Sequence, residues 1–599
     1  MKWRLVENKK ILILDVKDIN PVVLRLLSRR GVTPDQVNNF LNPNYTERLH
    51  DPFLFKNMPA VVERIFKAIE QNEKITVYGD YDADGVTSTA LLFKTLEFLQ
   101  PGKNLISVYI PDRKSEGYGL NNEALKYLAE NGTKLVITVD TGIRSVGEIN
   151  FGKNLGTDII VTDHHEAPDE LPDCLIINPK VPGETYPFDG LAGCGVAFKL
   201  AQALLKKSQK KAAEVFEKWL LDLVAIGTIA DLMPLLDENR VLVKYGLVVL
   251  NKTQRVGLKQ LIKVSQSDTD KNGNSKEIDT WQVGFQLAPR INAMGRLDHA
   301  NNAYQLLVTE DKAEAVKVAK ELDGKNKERQ EITLDIFEQA DAEIKQEDKI
   351  LFAVWPKLLS VSAKENGQAL VRLQEKETDQ TAPWSAGVMG LVAGKLTEKY
   401  YRPSLAITDK DGEATGSGRS IPEFDITAML EECAEFLSTY GGHKQACGFT
   451  VKDKDSLLPF LKKCQKIAAK KLKNTELEPT LEIDLEVDFK NIDEDLYNAL
   501  RKLRPFGMGN QQPKFITKKL LVAHMQTMGN DNQHLKLRLC SEDKKLFNAI
   551  AFSAPAEWLN LKIGQFIDLV YYLDINEWNG RREVQLKVID LKYNANTTN

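Results

Sequence analysis

Between Ile75 and Val161 the chain alternates short β-branched runs with amphipathic stretches, and this alternation narrows the choice of fold more than any other feature. Ile75–Tyr78, Leu105–Ile110, Lys134–Val139 and Asp158–Val161 read as strands, with helical spacing over Val86–Leu99, Asn121–Asn131 and Ser145–Leu155 between them. Such an order forms a mostly parallel sheet with helices on both faces. Ligand sites of open α/β sheets lie beyond the carboxyl ends of the strands. There this sequence places Gly79-Asp80-Tyr-Asp82-Ala-Asp84-Gly85, Val139-Asp140-Thr-Gly142 and Asp163-His164-His165. The three turns are expected to converge in space.

Three alternating carboxylates repel phosphate unless cations intervene, so the first turn reads as a metal-binding segment; a solvated acidic turn capping the next helix is its other reading. Asp231, which ends the apolar stretch Ala225-Ile-Gly-Thr-Ile-Ala230, is a fourth candidate, with a helix-terminal surface carboxylate as its alternative. Carboxylates joined by one or two imidazoles, without thiolate, suit Mn²⁺ or Mg²⁺. Two ions are compatible with this donor set, as in sites where paired cations serve attack at phosphorus.

Residues 194–250 read as helical, and 310–347 as a long charged helix interrupted at Gly324, with few apolar neighbours, that bridges two domains. A second α/β unit follows over roughly 349–473, with Gly387-Val-Met-Gly390, Gly416-Ser-Gly-Arg419, Gly441-Gly-His443 and a final helix rich in lysine (Lys462, Lys463, Lys466, Lys470, Lys471). Strict alternation from Leu481 to Phe489, then β-rich text at 515–523, 534–540, 546–552, 566–573 and 583–591, predicts a separate small antiparallel barrel of the OB type. Its Trp558, Tyr571, Tyr572 and Trp578 are read either as base-stacking platforms or as core.

A net charge of -4 gives no overall attraction to nucleic acid, so such binding must use local basic patches. No stretch approaches the ~20 apolar residues of a membrane span, and the short run Ile11–Leu14 breaks at Asp15, so no membrane association and a cytoplasmic location are expected. The six scattered cysteines read as reduced thiols.

Taken together, the acidic turns and Gly227-Thr-Ile-Ala-Asp231 resemble the DHH phosphoesterase superfamily and, in detail, its RecJ family. The similarity extends to Ile110-Pro-Asp-Arg-Lys-Ser-Glu-Gly-Tyr-Gly-Leu120, Leu287-Ala-Pro-Arg-Ile-Asn-Ala-Met-Gly-Arg296, Gly416-Ser-Gly-Arg-Ser-Ile-Pro422, Gly441-Gly-His443 and Arg504-Pro-Phe-Gly-Met-Gly-Asn510. It covers most of residues 75–515.

The resemblance implies that Asp82, Asp84, Asp140, His164 and Asp231 share two Mn²⁺ ions, or Mg²⁺, with Asp80 and Asp163 in support. Asp84, Asp163 and His165 form the implied catalytic set, His165 facing the phosphate. Arg113, Arg290, Asn292, Arg296, Ser417, Arg419, Ser420, Gly442 and His443 are the implied nucleic-acid contacts. The implied activity is hydrolysis of single-stranded DNA from a free 5' end toward 3', in repair and recombination, by a monomer whose implied partners are a single-strand binding protein and a RecQ-type helicase. The competing readings are a phosphodiesterase for short oligonucleotides or cyclic dinucleotides, and a non-catalytic single-strand-binding scaffold.

The expected domains are 1–74, packing on the catalytic domain; 75–309, DHH; 310–347, connector; 348–475, of DHHA1 type; and 476–599, an OB fold. Three departures from the family pattern stand out: Ser385 after Trp384, where histidine is common, an insertion over 356–382, and Cys447 in place of alanine.

Overall fold

The computed structural model of the chain describes residues 1–6, 18–265, 277–344, 347–359, 382–529, 532–578 and 581–593. Most of the 356–382 insertion and the Ile11–Leu14 run therefore lie outside the described residues.

The strand-and-helix alternation folds into a five-stranded parallel sheet in the order Ile106–Tyr109, Lys74–Gly79, Thr133–Val139, Asp158–Thr162, Leu175–Ile177. The short last strand has no counterpart in the sequence reading. Successive side chains enter opposite faces. Val77, Ile137, Val139 and Ile160 join a large core with helices Met58–Glu70, Ala83–Leu99 and Gly193–Ser208. Tyr78, Val136 and Val161 join a smaller core with Asn122–Glu130 and Val146–Asn154. Burial on both faces is why these strands read as nearly continuous apolar runs.

The charged connector is one helix, Lys312–Asp341, continuous through Gly324, which corrects the expected interruption. Its apolar neighbours are also more numerous than its charge suggests. Ala315, Val318, Ala319 and Leu322 belong to the first core, and Ile336 and Ala340 to the core of the second unit. A helix of this length spans about 45 Å, so the two units share a strut rather than a tether.

The second unit has a five-stranded sheet in the order Leu437–His443, Ala446–Val451, Glu413–Arg419, Ser404–Lys410, Leu351–Val354, antiparallel except for the last pair. Cys433, Cys447 and Cys464 are buried in its core, in line with reduced thiols filling apolar space.

The C-terminal strands Phe515–Met528, His534–Cys540, Leu546–Ala551, Phe566–Trp578 and Arg581–Tyr593 close into a barrel, the first pairing with both the second and the fourth. The alternating stretch does not run through as one strand. It breaks at Asp484, whose carboxylate accepts the Lys514 amide at 2.8 Å. Beyond the break Leu485–Glu486 pairs with the barrel, while before it Thr480–Ile483 pairs in parallel with Lys2–Leu5.

The N-terminal segment thus divides instead of packing wholly on the first α/β unit. Val23, Leu26, Leu27, Val32, Val37 and Leu41 enter the barrel's core, and only the part from Tyr45 onward joins the first. Trp558 and Tyr571 are core residues of the barrel, the Tyr571 hydroxyl 2.7 Å from Thr517 Oγ1, so neither is a stacking platform. No helix among the described residues is long and apolar enough to cross a membrane.

Candidate active site

The three acidic turns and the end of helix Leu221–Ala230 meet at one point beyond the parallel strands. Asp82 caps helix Ala83–Leu99, its Oδ1 accepting the amides of Asp84 and Gly85 at 2.9 and 3.0 Å. Asp84 is buried, and both its oxygens accept amides at the start of helix Gly193–Ser208, from Gly193 at 2.7 Å and Cys194 at 2.9 Å. A helix N-terminus favours negative charge, so this contact fixes the Asp84 carboxylate rigidly.

Two glycines permit the close packing. A Cβ at Gly193 would lie 2.5 Å from the Asp140 side chain, and one at Gly227 2.5 Å from Asp84 Oδ1. Asp140 itself sits at φ +61°, a left-handed conformation that a non-glycine residue holds only when its surroundings enforce it.

His164 joins the groups. Its Nε2 lies 3.1 Å from Asp140 Oδ1, 3.5 Å from Asp231 Oδ2 and 3.9 Å from Asp84 Oδ2. Potential ligand atoms fall within 4.8 Å of one another in three sets: Asp84, His164 and Asp231; Asp140, His164 and His165; Asp80, Asp82 and Asp140. Among the described residues Asp80 Oδ1 and Asp140 Oδ1 are buried and accept no hydrogen bond, the His164 nitrogen approaching Asp140 Oδ1 without donating to it. Buried carboxylate oxygens in that state are costly unless a cation satisfies them, so oxygen donors with one imidazole fit a hard or borderline divalent ion.

Electrostatics divide the two histidines. Burial and the neighbouring His165 hold His164 down to about 3, leaving a neutral ring able to ligate. Burial also disfavours charge on His165, but the Asp163 carboxylate, 2.7 Å from its Nδ1, outweighs that and raises it to about 9. Asp163 is fixed in turn by the Ile143 amide at 3.0 Å. His165 is thus a cation at the rim, with the Tyr118 hydroxyl 3.3 Å from the same nitrogen.

Burial and the surrounding carboxylates push Asp80 and Asp140 well above the usual carboxylate range, Asp84 to about 6 and Asp231 to about 8. The metal-free native chain therefore keeps protons that the unfolded chain releases near pH 4. Native-state proton excess makes stability fall as pH rises. His164 works in the opposite direction below about pH 6.5, so the unopposed window opens at about 6.5, where Asp231 carries the fall to about 8 and His165 to about 9. Across it the metal-free protein is expected to lose at least about 2 °C of melting temperature, and saturating Mn²⁺ is expected to remove the carboxylate share of the slope and leave that of His165. Thermal melts with and without chelator check this; a flat metal-free profile contradicts it.

Next to this centre is a cleft of about 410 Å³ between the two α/β units, lined by Arg113, Lys114 and Arg296 on one side and Ser417, Tyr440 and Gly441 on the other. Arg113 lies over the Tyr81 ring at 5.0 Å, and its charge acts on Asp80. Burial lowers Arg296 to about 10, with the like charges of Arg113, Arg329 and Arg419 adding to the effect. Among the described residues none of these four guanidinium groups has a carboxylate ion-pair partner within 4.0 Å, and Arg113 and Arg296 feel Asp80 and Asp82 only at longer range. Arg329, on the connector helix, escapes the sequence reading because a charged helix face carries no local mark of what it meets.

The other expected nucleic-acid residues have more particular surroundings. Arg290 Nε and Nη2 bind Asp323 at 3.0 and 2.8 Å and its Nη1 binds Gln286 O, so a phosphate contact from it requires breaking an ion pair. Asn292 Oδ1 accepts the Ala83 amide at 2.7 Å, which ties it to the acidic turn. Ser420 Oγ donates to Phe424 O. Arg419 is half-buried beside helix Met389–Tyr400. His443 is exposed in the hairpin that contains Gly442, at φ +149°, where a Cβ would lie 2.3 Å from Ala446 O. Ser385 caps a short 3-10 turn, with Val388 N donating to its carbonyl at 3.1 Å. The lysine-rich helix is partly neutralised, Lys463 by Glu435 and Lys471 by Glu432.

A parallel-sheet domain with this acidic cluster, a second α/β unit across a cleft, and a closed barrel define a phosphoesterase of the DHH superfamily. Residues 74–228 match the DHH family N-terminal domain, 369–470 the DHHA1 domain and 483–590 the RecJ OB domain. The chain belongs to the RecJ family. It is 40% identical over 583 residues to the single-stranded-DNA-specific exonuclease RecJ of Bacillus subtilis (strain 168), covering 96% of this chain and 68% of that protein. The RecJ exonuclease of Haemophilus influenzae is 30% identical, with 98% of both chains covered. The crystal structure of RecJ from Thermus thermophilus in complex with Mn²⁺ superposes with a TM-score of 0.80 at 26% identity, over 99% of this chain and 80% of that one.

Proposed function

We propose that this protein is a single-stranded-DNA-specific exonuclease that hydrolyses phosphodiesters from the 5' end toward 3', acting in DNA repair and recombination. The observation that carries the reading is the adjacency of two opposite clusters: a buried carboxylate and imidazole centre, and the arginines of the cleft beside it. Asp82, Asp84, Asp140, His164 and Asp231 would hold two Mn²⁺ or Mg²⁺ ions, with Asp80 in support. Bound there, such ions supply Lewis-acid neutralisation of phosphate oxygens and activate the attacking water.

The chain's own residues do the rest. Neutral His164 offers a nitrogen lone pair, Asp163 keeps His165 protonated and aimed, and the His165 cation offers a donor to the scissile phosphate. Arg113, Arg296 and Arg419 clamp the chain end, since a guanidinium fork suits phosphate oxygens. The closed barrel favours a longer polymer over a cyclic dinucleotide, and the complete donor set favours an enzyme over a binding scaffold. We assign it to the cytoplasm as a monomer, with a single-strand binding protein and a RecQ-type helicase as partners, on the family resemblance.

The test is a Mn²⁺-dependent assay on a single-stranded oligonucleotide labelled at either end, beside duplex and cyclic-dinucleotide controls. Early release of the 5' label with the duplex spared is expected; attack from the 3' end, or equal cleavage of the duplex, overturns the reading. Arg296→Ala and Arg419→Ala are expected to raise KM for the 5'-phosphorylated strand roughly tenfold each, the size of one charged hydrogen bond, with little change in kcat. Unaltered KM values at moderate salt remove the clamp.

A further inference from the structure

The Arg504–Asn510 loop belongs to the family pattern, and the reaction leaves it without a task. In the structure it is locked against the segment that follows Asp231. Its anchor is Arg240 on helix Asp237–Leu250, 3% exposed. The guanidinium donates to four carbonyls, Phe40 O and Leu503 O at 2.9 Å each, Arg504 O at 2.8 Å and Lys502 O at 3.1 Å. Among the described residues no carboxylate pairs with it within 4.0 Å, so its satisfaction depends on the backbone of 502–504, which leads into the loop, and on Phe40 holding this shape. Buried Asn510 closes the loop from within, donating to Leu503 O and Pro505 O at 2.8 and 2.7 Å.

The far side of the loop grips Pro234 and Leu235. Met508 O accepts the Leu235 amide at 2.8 Å. A Cβ at Gly507 would lie 2.7 Å from Leu235 Cδ1, and one at Gly509 3.2 Å from Pro234 Cβ. From the opposite direction Asn239 Nδ2 donates to Pro234 O at 3.1 Å and Gly190 O at 2.6 Å, just ahead of the Gly193 amide that fixes Asp84. Between this grip and Asp231 stands Leu232 at φ +56°. A leucine held in the left-handed region is strained and persists only where its neighbours over-determine it.

We propose that Arg240 and the Arg504–Asn510 loop are a positioning device for Asp231, through which the C-terminal domain contributes to divalent-cation affinity by a contact that touches no DNA. The inference rests on the reading of Asp231 as a metal ligand. Partners that orient metal ligands typically alter affinity by one to two orders of magnitude when removed.

The experiment measures Mn²⁺ binding by calorimetry, and hydrolysis against Mn²⁺ concentration, in full-length Gly507→Ala, Arg240→Lys and Asp231→Asn. Gly507→Ala adds one methyl group against the end of a leucine side chain and is expected to fold. Both positioning variants are expected to bind Mn²⁺ roughly tenfold more weakly, while kcat at saturating Mn²⁺ stays within about twofold of the parent. That split separates positioning from damage to the fold, which lowers kcat in step with the folded fraction. If Arg240→Lys does not fold, Gly507→Ala decides alone. Unchanged Mn²⁺ affinity in folded Gly507→Ala, alongside weakened binding by Asp231→Asn, overturns the positioning role only. Unchanged affinity in Asp231→Asn overturns the ligand reading itself.

Discussion

His164→Ala is expected to abolish Mn²⁺-dependent hydrolysis while the protein stays folded. The ring is neutral, touches three carboxylates and carries no part of the core, so its loss removes a ligand nitrogen and little packing. Several kcal/mol of transition-state charge stabilisation depend on a filled site, which at about 1.4 kcal/mol per tenfold is roughly three orders of magnitude in rate. Asp84→Ala is expected to be equally inactive but less stable, because the Gly193 and Cys194 amides lose both acceptors. Single-turnover rates at saturating Mn²⁺, with melting curves for both variants, check the pair. Near-parental hydrolysis by His164→Ala would falsify the site.

Removal of residues 481–599 is expected to unfold much of the chain rather than merely slow the use of long DNA. The sequence describes a barrel that looks separable, but the structure contradicts separability at three places. The first strand loses its partner. Val23, Leu26, Leu27, Val37 and Leu41 lose the core they are buried in. Arg240 loses three of its four carbonyl acceptors together with the backbone that packs over it. Hydrolysis of a dinucleotide, which cannot reach the barrel, is therefore expected to collapse along with hydrolysis of long strands. Phe552→Ala is the contrasting change: this ring is 56% exposed, with Lys587 Nζ 5.7 Å from it and His534 beside it, and offers a stacking face without structural duty. That variant is expected to spare the dinucleotide and weaken only long strands. A soluble truncation with full activity on the dinucleotide refutes the dependence.

The parts of this molecule legible in its sequence are those written in local periodicity. Alternation places strands at Ile75–Tyr78, Lys134–Val139 and Asp158–Val161, inside the observed Lys74–Gly79, Thr133–Val139 and Asp158–Thr162, and the rule that ligands gather beyond strand ends brings Asp82, Asp84, Asp140 and His164 together before any coordinate is known. Asp231 is harder, since a carboxylate at a helix end is ordinary and only the fold brings it to His164. Contacts between distant segments leave no periodic trace. Nothing local in the sequence marks the Arg290 ion pair with Asp323 or the Ala83 amide that the Asn292 carbonyl accepts, and Tyr571, legible as a stacking ring or as core, is placed in the core only by closure of the barrel. The alternation at Leu481–Phe489 is real but serves two sheets, because Asp484 turns the chain between partners that local pattern cannot name.

The pairing of Lys2–Leu5 with Thr480–Ile483 also sets a timetable for the birth of the protein. Ribosomes add about 5–20 residues per second and domains fold as they emerge, so the first strand waits roughly half a minute to a minute and a half for its neighbour to be made. Over that interval the apolar side of Pro21–Arg29, with Val23, Leu26 and Leu27, has no barrel to enter. The first α/β unit can assemble behind it, but residues 2–5 are tied down only once the last fifth of this sequence is being translated. A nascent chain therefore holds the acidic centre long before it holds the barrel, and a ribosome that stalls short of the barrel leaves the apolar face of Pro21–Arg29 exposed.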